Sequence, residues 1–240
     1  MKVILDPGHG GEDRGAEYFG VTEAKINLEV AKLLNEYLNS DQRFQAYLTR
    51  YKDINLTLEE RSEFANTKNG DLFISLHANA FNQSLAKGVE FYFQNQLPPD
   101  EEVLYLANKE NENKNGFVTS DWPLEPIADH DHLKPEVMSI IQDLQLNSRI
   151  RFSSQLAEFL NMHWKGITRP KKHAIKQAPF HVISHVMMPA NLIEMGYLSN
   201  KKEAHNLNSP KYQKKIAKSI FEGLIKYKET IDKSPVNDLN

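Results

Sequence analysis

The chain contains no cysteine. Thiolate metal sites, cysteine nucleophiles and disulfides are excluded together, so any metal must be held by imidazole and carboxylate groups. An excess of charge of one sign is also missing: 29 Lys and Arg stand against 32 Asp and Glu, a net charge of -3. That balance gives no electrostatic basis for nucleic acid as a partner. No apolar run approaches the roughly 20 residues that span a bilayer. Met1 stands directly against what reads as a core strand, so no export signal is expected within the sequence. The chain is therefore expected to be either cytoplasmic or a mature domain whose signal has been removed. What is present, 240 residues with 40% hydrophobic and 25% charged, suits an ordinary globular protein long enough to bury a substantial core.

The pattern of elements is α/β. Lys2-Val3-Ile4-Leu5 is a short apolar run broken abruptly by Asp6-Pro7-Gly8-His9-Gly10-Gly11, a strand that ends in a glycine-rich turn. Thr22 to Leu38 carries Ile26, Val30, Leu33, Leu34 and Tyr37 at helical spacing. Phe44 to Thr49 alternates as a strand. Thr57-Leu58-Glu59-Glu60 fits a capping box opening a helix to about Lys68, closed by Asn69-Gly70. Asp71 to Leu76 is a buried type of strand ending at His77-Ala78-Asn79-Ala80, and Gly88 to Phe93 is another. Strands alternating with helices predict a mixed, mainly parallel sheet of about six strands flanked by helices.

Leu97 to Asn147 interrupts this rhythm. It holds a helical piece from Glu101 to Asn115, a proline-bearing loop, and a second helix from Glu136 to about Leu146 with Val137, Ile140, Ile141 and Leu144 on one face. A departure of this length inside a compact domain is expected to be a peripheral lid or regulatory segment. Arg149 to Trp164 resumes as an amphipathic helix, and His181 to Ser184 and Asn191 to Met195 read as the last strands. Asn200 or Ser199 caps a short helix, and Ser209-Pro210 starts a terminal helix to Tyr227. The expected organisation is one domain over 1–228, with the insertion at about 97–147 and a frayed tail at 229–240. The loop Asp129-His130-Asp131-His132 and the basic stretch Arg169 to His173 are expected to be solvated.

Candidate ligands fall at the edges of these elements. His9 follows the first strand, Glu23 opens the first helix, His77 follows the third strand and Glu194 ends the last. The carboxyl ends of parallel strands share one edge of a sheet, where ligands bind. Singly, each of these residues is an ordinary core, capping or surface group; as an edge-clustered set they favour a metal. Two imidazoles and one carboxylate form a catalytic zinc set with a fourth position open to water, and a further carboxylate, Glu194, serves as general base. Glu90, on the strand after His77, ranks below Glu194 for that role.

Four motifs then carry a family resemblance: Asp6 to Gly11, Glu23, Ser75-Leu76-His77-Ala78-Asn79, and Glu194-Met195-Gly196-Tyr197-Leu198-Ser199-Asn200. In this order they resemble the zinc-dependent N-acetylmuramoyl-L-alanine amidases, peptidoglycan hydrolases of cell-wall remodelling. The resemblance runs from about Val3 to Tyr227, with Leu48-Thr49-Arg50 and Leu58-Glu59-Glu60-Arg61 also fitting. It implies one Zn2+ per chain held by His9, Glu23 and His77, with Glu194 as the catalytic carboxylate. The implied reaction is hydrolysis of the amide joining N-acetylmuramic acid to L-alanine of the stem peptide.

Leu106 to Asn111, and Ile141 to Leu144 ahead of Ser153, Leu156 and Ala157, further resemble the cell-division amidases of diderm bacteria. In that subgroup a helix covers the zinc site until an activator of the LytM-domain type displaces it. Some part of 97–147 is thus expected to be autoinhibitory, with Glu101, Glu102, Glu110, Glu112 and Glu136 as open alternatives for an acid in the zinc position. The function implies the periplasm. Two other readings use the same residues: a zinc peptidase acting on another bond, and a catalytically idle peptidoglycan-binding or regulatory module, against which the presence of a general base argues.

Overall fold

The structure, a computed structural model, describes residues 1–81, 86–94, 101–111, 134–166, 170 and 173–233. Six strands form one sheet in the order β4 (Gln45–Leu48), β1 (Lys2–Pro7), β5 (Leu72–Asn79), β8 (Ala190–Tyr197), β6 (Glu90–Phe93) and β7 (Ile175–Gln177). The β4–β1, β1–β5 and β5–β8 pairs are parallel, β6 runs antiparallel to β8, and β7 is parallel to β6. The sheet is mixed and mostly parallel, as the alternation of elements predicts.

Side chains alternate across the sheet and build a core on each face. Val3 and Leu5 of β1, Ile74 and Leu76 of β5 and Ile193 of β8 pack with α1 (Glu23–Asn39), α4 (Pro135–His163) and α7 (Pro210–Asp232) through Val30, Leu34, Leu156, Leu160, Ile216 and Ile220. Ile4, Phe73, Tyr92 and Leu192 face the other way. They meet Ala65 of α2 (Leu58–Thr67), Val103 and Ala107 of α3 (Glu101–Asn111), and Val182 and Ile183 of α5 (His181–Ser184).

Local chemistry sets the boundaries. At the start of α2 the Glu60 amide donates to Thr57 Oγ1 (3.1 Å) and the Thr57 amide to Glu60 Oε2 (2.7 Å), the reciprocal cap that the sequence predicts. Asn200 caps α6 (Lys201–Leu207) by accepting from the Lys202 and Glu203 amides.

Four features depart from the sequence reading. Pro135 to His163 is one continuous helix of 29 residues, not two; Asn147 and Ser148 are polar but neither breaks a helix as Gly or Pro would. His181–Ser184 is helical, because a run this short does not distinguish strand from helix. The edge place in the sheet goes instead to β7, whose Ile175-Lys176-Gln177 carries little pattern. A hairpin of β2 (Glu17–Tyr18) and β3 (Val21–Thr22) precedes α1, turning through Phe19 and Gly20 at φ of 52° and 74°; an aromatic in that left-handed position gives no turn signal. Finally, α7 extends to Asp232, beyond Tyr227. The loop Asp129 to His132 and most of the stretch Arg169 to His173 lie outside the described residues.

Asn191, a buried polar residue near the start of β8, ties three elements together. Its Nδ2 donates to the Tyr92 carbonyl on β6 and the Ser153 carbonyl on α4, each at 3.2 Å. Ser153 Oγ in turn accepts from the Ala190 amide at 2.9 Å. Replacing Asn191 by Ala is expected to destabilise the protein by about 1–3 kcal/mol. Urea denaturation checks this; a midpoint unchanged from wild type would show that these bonds contribute nothing net.

Candidate metal centre

The edge at which β1, β5 and β8 end collects the predicted residues. The chain leaves β1 through Gly8, and His9 adopts a left-handed backbone (φ 59°). Gly8 has no room for a side chain: a Cβ there would lie 2.3 Å from the His77 ring. Gly15 (φ 64°) is equally constrained, its place for a Cβ lying 2.6 Å from Glu23 Oε2 and 2.7 Å from His9 Cδ2. These two glycines let ligand-type side chains approach the backbone.

His9, Glu23 and His77 converge. Glu23 Oε1 lies 3.1 Å from His9 Nε2 and 3.1 Å from His77 Nδ1. The same carboxylate accepts from the Ala78 amide (3.0 Å) and the Ala16 amide (2.9 Å), so it is fixed on both oxygens. On the far side of its ring, His9 Nδ1 lies 2.8 Å from Asp13 Oδ2. A carboxylate there orients the imidazole and leaves Nε2 facing inward. Nε2 itself is buried without a hydrogen-bond partner of acceptable geometry, which suits an atom that serves as a metal ligand.

Charge coupling in this cluster is strong. Burial opposes ionisation of His9, but the Glu23 carboxylate, with Asp13 and Glu110, outweighs it and raises the imidazole well above its ordinary range. Burial likewise opposes ionisation of Glu23, yet His9 and His77 hold its carboxyl well below the usual value.

Glu194 is opposite His77 in the β5–β8 register and only 1% exposed. It lies within β8, not at its end. Its Oε2 has no hydrogen-bond partner among the described residues. Burial first, then the charges of Glu23, Glu110 and Glu90, push its carboxyl well above the ordinary value. Glu90 is the cross-strand neighbour of Glu194 and is fully engaged. Its Oε2 accepts from Tyr92 and Tyr197 hydroxyls (2.8 and 2.9 Å), and its Oε1 pairs with Lys176 at 2.8 Å. Of the two acids, Glu194 alone retains a bare oxygen, as a proton carrier requires.

Among the acids named between 97 and 147, the structure brings Glu110 to the site. Its Oε2 lies 3.3 Å from His9 Nε2 and 3.6 Å from His77 Nδ1. His9, His77 and Glu110 offer ligand atoms that all lie within 4.8 Å of one another. Glu101 and Glu136 are exposed, and Glu112 and the side chain of Glu102 lie outside the described residues. The next residue, Asn111, clasps the segment between β7 and α5: its Nδ2 donates to the Pro179 carbonyl (3.0 Å) and its Oδ1 accepts from the His181 amide (2.9 Å). A cleft of about 270 Å3 remains beside the cluster, lined by His9, His77, Glu110, Asn111, Phe180 and Leu192 among others. Asp13 and Asn111 were not singled out by the sequence; an acid four residues after His9 was the only available signal for the former.

Comparison with known proteins gives the family. The family model described as N-acetylmuramoyl-L-alanine amidase matches residues 3–226. The chain belongs to this family. It is 31% identical over 227 residues to N-acetylmuramoyl-L-alanine amidase AmiA of Escherichia coli, covering 94% of this chain and 75% of AmiA. With AmiC of another Escherichia coli strain it shares 28% over 228 residues, covering 94% of this chain. The chain spans about half the length of AmiC, 52%. Among solved structures, the amidase AmiC2 of Nostoc punctiforme superposes with a TM-score of 0.67 at 25% identity, covering 95% of this chain and 97% of AmiC2. No helix among the described residues of this amidase-family chain is long and apolar enough to cross a membrane.

The ionisation states make a prediction for protein stripped by a chelator. The folded pKa of His9 lies above the ordinary 6.5, so its stabilising contribution is complete below that pH and is lost as pH rises through the raised value. Glu194, raised from 4.5, acts in the same direction. Glu23, lowered from 4.5, contributes stability above that value and loses it only as the pH falls through its lowered pKa. The stripped protein should therefore melt at progressively lower temperature over the interval that begins at about pH 6.5, the ordinary value, and runs upward through the raised one. His9→Gln should flatten that slope, and a rising melting temperature over the interval in the stripped protein would contradict the charge assignment.

Proposed function

We propose that this chain is a zinc-dependent N-acetylmuramoyl-L-alanine amidase acting on peptidoglycan, with one Zn2+ held by His9, Glu23 and His77. The observation that carries the reading is the convergence of these three donors beside a buried carboxylate, Glu194, that has a bare oxygen. Two imidazoles and a carboxylate match the donor set of hydrolytic zinc sites. When bound, zinc would polarise the scissile carbonyl and lower the pKa of water towards about 7.

The remaining work falls to the chain itself. Glu194 accepts the proton of the attacking water and delivers it to the departing amine of L-alanine. Its burial among other acids raises its proton affinity, which suits a group that must take up a proton and release it. Asp13 holds the His9 ring in its ligating orientation. Glu90 is kept out of the chemistry by two tyrosines and Lys176.

The approach of Glu110 to both imidazoles supports autoinhibition. A carboxylate at that place competes for the position that water and substrate require, and Asn111 secures it by its clasp on Pro179 and His181. The proposed state is relieved by an activator of the LytM-domain type, with α4 as its contact: Ile140 and Leu144 on its first half are 59% and 64% exposed. Family membership supports a role in septal wall splitting. Peptidoglycan as substrate supports the periplasm as the place of that action.

Three outcomes are expected. Purified peptidoglycan should release free stem peptide in a chelator-sensitive way; peptides cut internally would indicate a peptidase instead. Glu194→Ala should keep its zinc but lose about 10²–10⁴-fold in cleavage rate, and near-normal cleavage would remove Glu194 from its role. Glu110→Ala should raise cleavage without activator by roughly tenfold or more, equivalent to ~1.4 kcal/mol. Asn111→Ala should raise it in the same direction, whereas basal rates unchanged in both variants would exclude this mode of inhibition.

A further inference from the structure

Two arginines surround the ligand-bearing backbone from behind. Arg50, two residues beyond β4, is 1% exposed and makes no ion pair among the described residues. Its guanidinium is spent on main-chain carbonyls. Nε donates to Pro7 O at 2.9 Å, Nη2 to both Gly8 O and Ala24 O at 2.9 Å, and Nη1 to Lys52 O at 3.1 Å. Gly8 precedes His9, and Ala24 follows Glu23. One rigid, planar group therefore sets the distance between the loop that carries one imidazole and the helix turn that carries the carboxylate.

Arg61, on α2, completes the enclosure. It donates from Nη1 to Pro7 O and from Nη2 to His9 O, each at 2.9 Å, and is anchored on Asp6 at 2.7 Å. Asp6 also accepts from Thr49 and Ser75 hydroxyls. The His9 carbonyl is thereby held in the left-handed conformation that turns its ring inward. Asn27 adds a third link, its Nδ2 lying 3.3 Å from Gly8 O and 3.4 Å from Glu23 Oε1.

A buried arginine without an acid partner is costly to desolvate, and fold stability alone would be served as well by apolar packing. Its planar fork matches several carbonyls at fixed angles, which a lysine cannot do. We propose that Arg50 and Arg61 are positioning residues for the metal ligands, setting the spacing of His9 and Glu23 and with it the affinity for a divalent cation. The inference rests on the assignment of His9, Glu23 and His77 as ligands, and it adds a function for two residues outside that ligand set.

The test is zinc affinity of the full chain, measured by competition with a chromogenic chelator, together with the visible absorption of the cobalt-substituted protein. Arg50→Lys and Arg61→Lys should each weaken zinc binding by about 10–100-fold, the range of lost outer-shell support, and should shift the cobalt bands. Asn27→Ala should do the same to a smaller extent. A merely structural role would lower the melting temperature of stripped and loaded protein alike, and leave affinity and cobalt spectrum in place. Affinities within about twofold of wild type in the folded arginine variants would overturn the proposal. Should Arg50→Lys fail to fold, Arg61→Lys and Asn27→Ala decide by the same criterion. If wild type binds zinc no more tightly than His9→Ala, the ligand assignment itself has failed, an outcome distinct from failure of the positioning role.

Discussion

Burial of the Glu23 carboxylate between two imidazoles organises the edge of the sheet at which β1 and β5 end. A carboxylate only 3% exposed costs several kcal/mol in solvation unless its charge and lone pairs are met. Here they are met by groups from separate parts of the chain: His9 from the first loop, His77 and the Ala78 amide from β5, and the Ala16 amide ahead of the hairpin. Because Glu23 is also the first residue of α1, satisfying this one group fixes a strand, a loop, a hairpin and a helix relative to one another. The two tight glycines, Gly8 and Gly15, are where the backbone yields to make that convergence possible.

The site carries more acid than its own residues neutralise. Glu90 is compensated by Lys176 and two hydroxyls, and Glu23 by the imidazoles. That leaves Glu194, with no partner for Oε2 and its proton affinity raised, and Glu110, drawn against the same two rings. Residual negative charge in a buried cluster with inward-facing imidazole nitrogen is an electrostatic demand for a cation. A divalent ion at the centre would relieve Glu23 and the bare nitrogen of His9 at once and lower the cost of ionising Glu194. The acid crowding and the ligand set are one property of the site.

Most of the architecture was legible because burial on both faces writes itself into β1, β5 and β8 as apolar runs, and because helical spacing marks α1, a capping box α2 and Ser209-Pro210 the start of α7. The four candidate site residues were legible from motif order, since parallel strands bring their ends to one edge whatever their separation in sequence. Other features left no local trace. Phe19 in a left-handed turn reads as a surface aromatic, and His181 to Ser184 is too short for its period to be read. Glu110 was one acid among five, and only the packing of Val103 and Ala107 on the sheet decides which of them meets His9. Asn191, polar within a buried strand, has no explanation in its sequence neighbours because its partners, Tyr92 and Ser153, lie far away in sequence.

The continuity of α4 bears most directly on how the proposed inhibition could be relieved. Its second half is core: Leu156, Ala157 and Leu160 are buried against α7 and the sheet, and Ser153 is bonded into β8. Its first half presents Val137, Ile140 and Leu144 to solvent. A helix without Gly or Pro between the two halves does not bend readily at their junction, so a partner that grips the exposed half gains a rigid lever rooted in the domain. The clasp of Asn111 is of the opposite kind, two hydrogen bonds to a loop, each with a net value of only about 1 kcal/mol. Under the proposed reading the activator therefore finds a firm base on α4, while Glu110 is held over the ligands by the Asn111 clasp together with the burial of Val103, Leu106 and Ala107 of α3, and both must yield for the site to open.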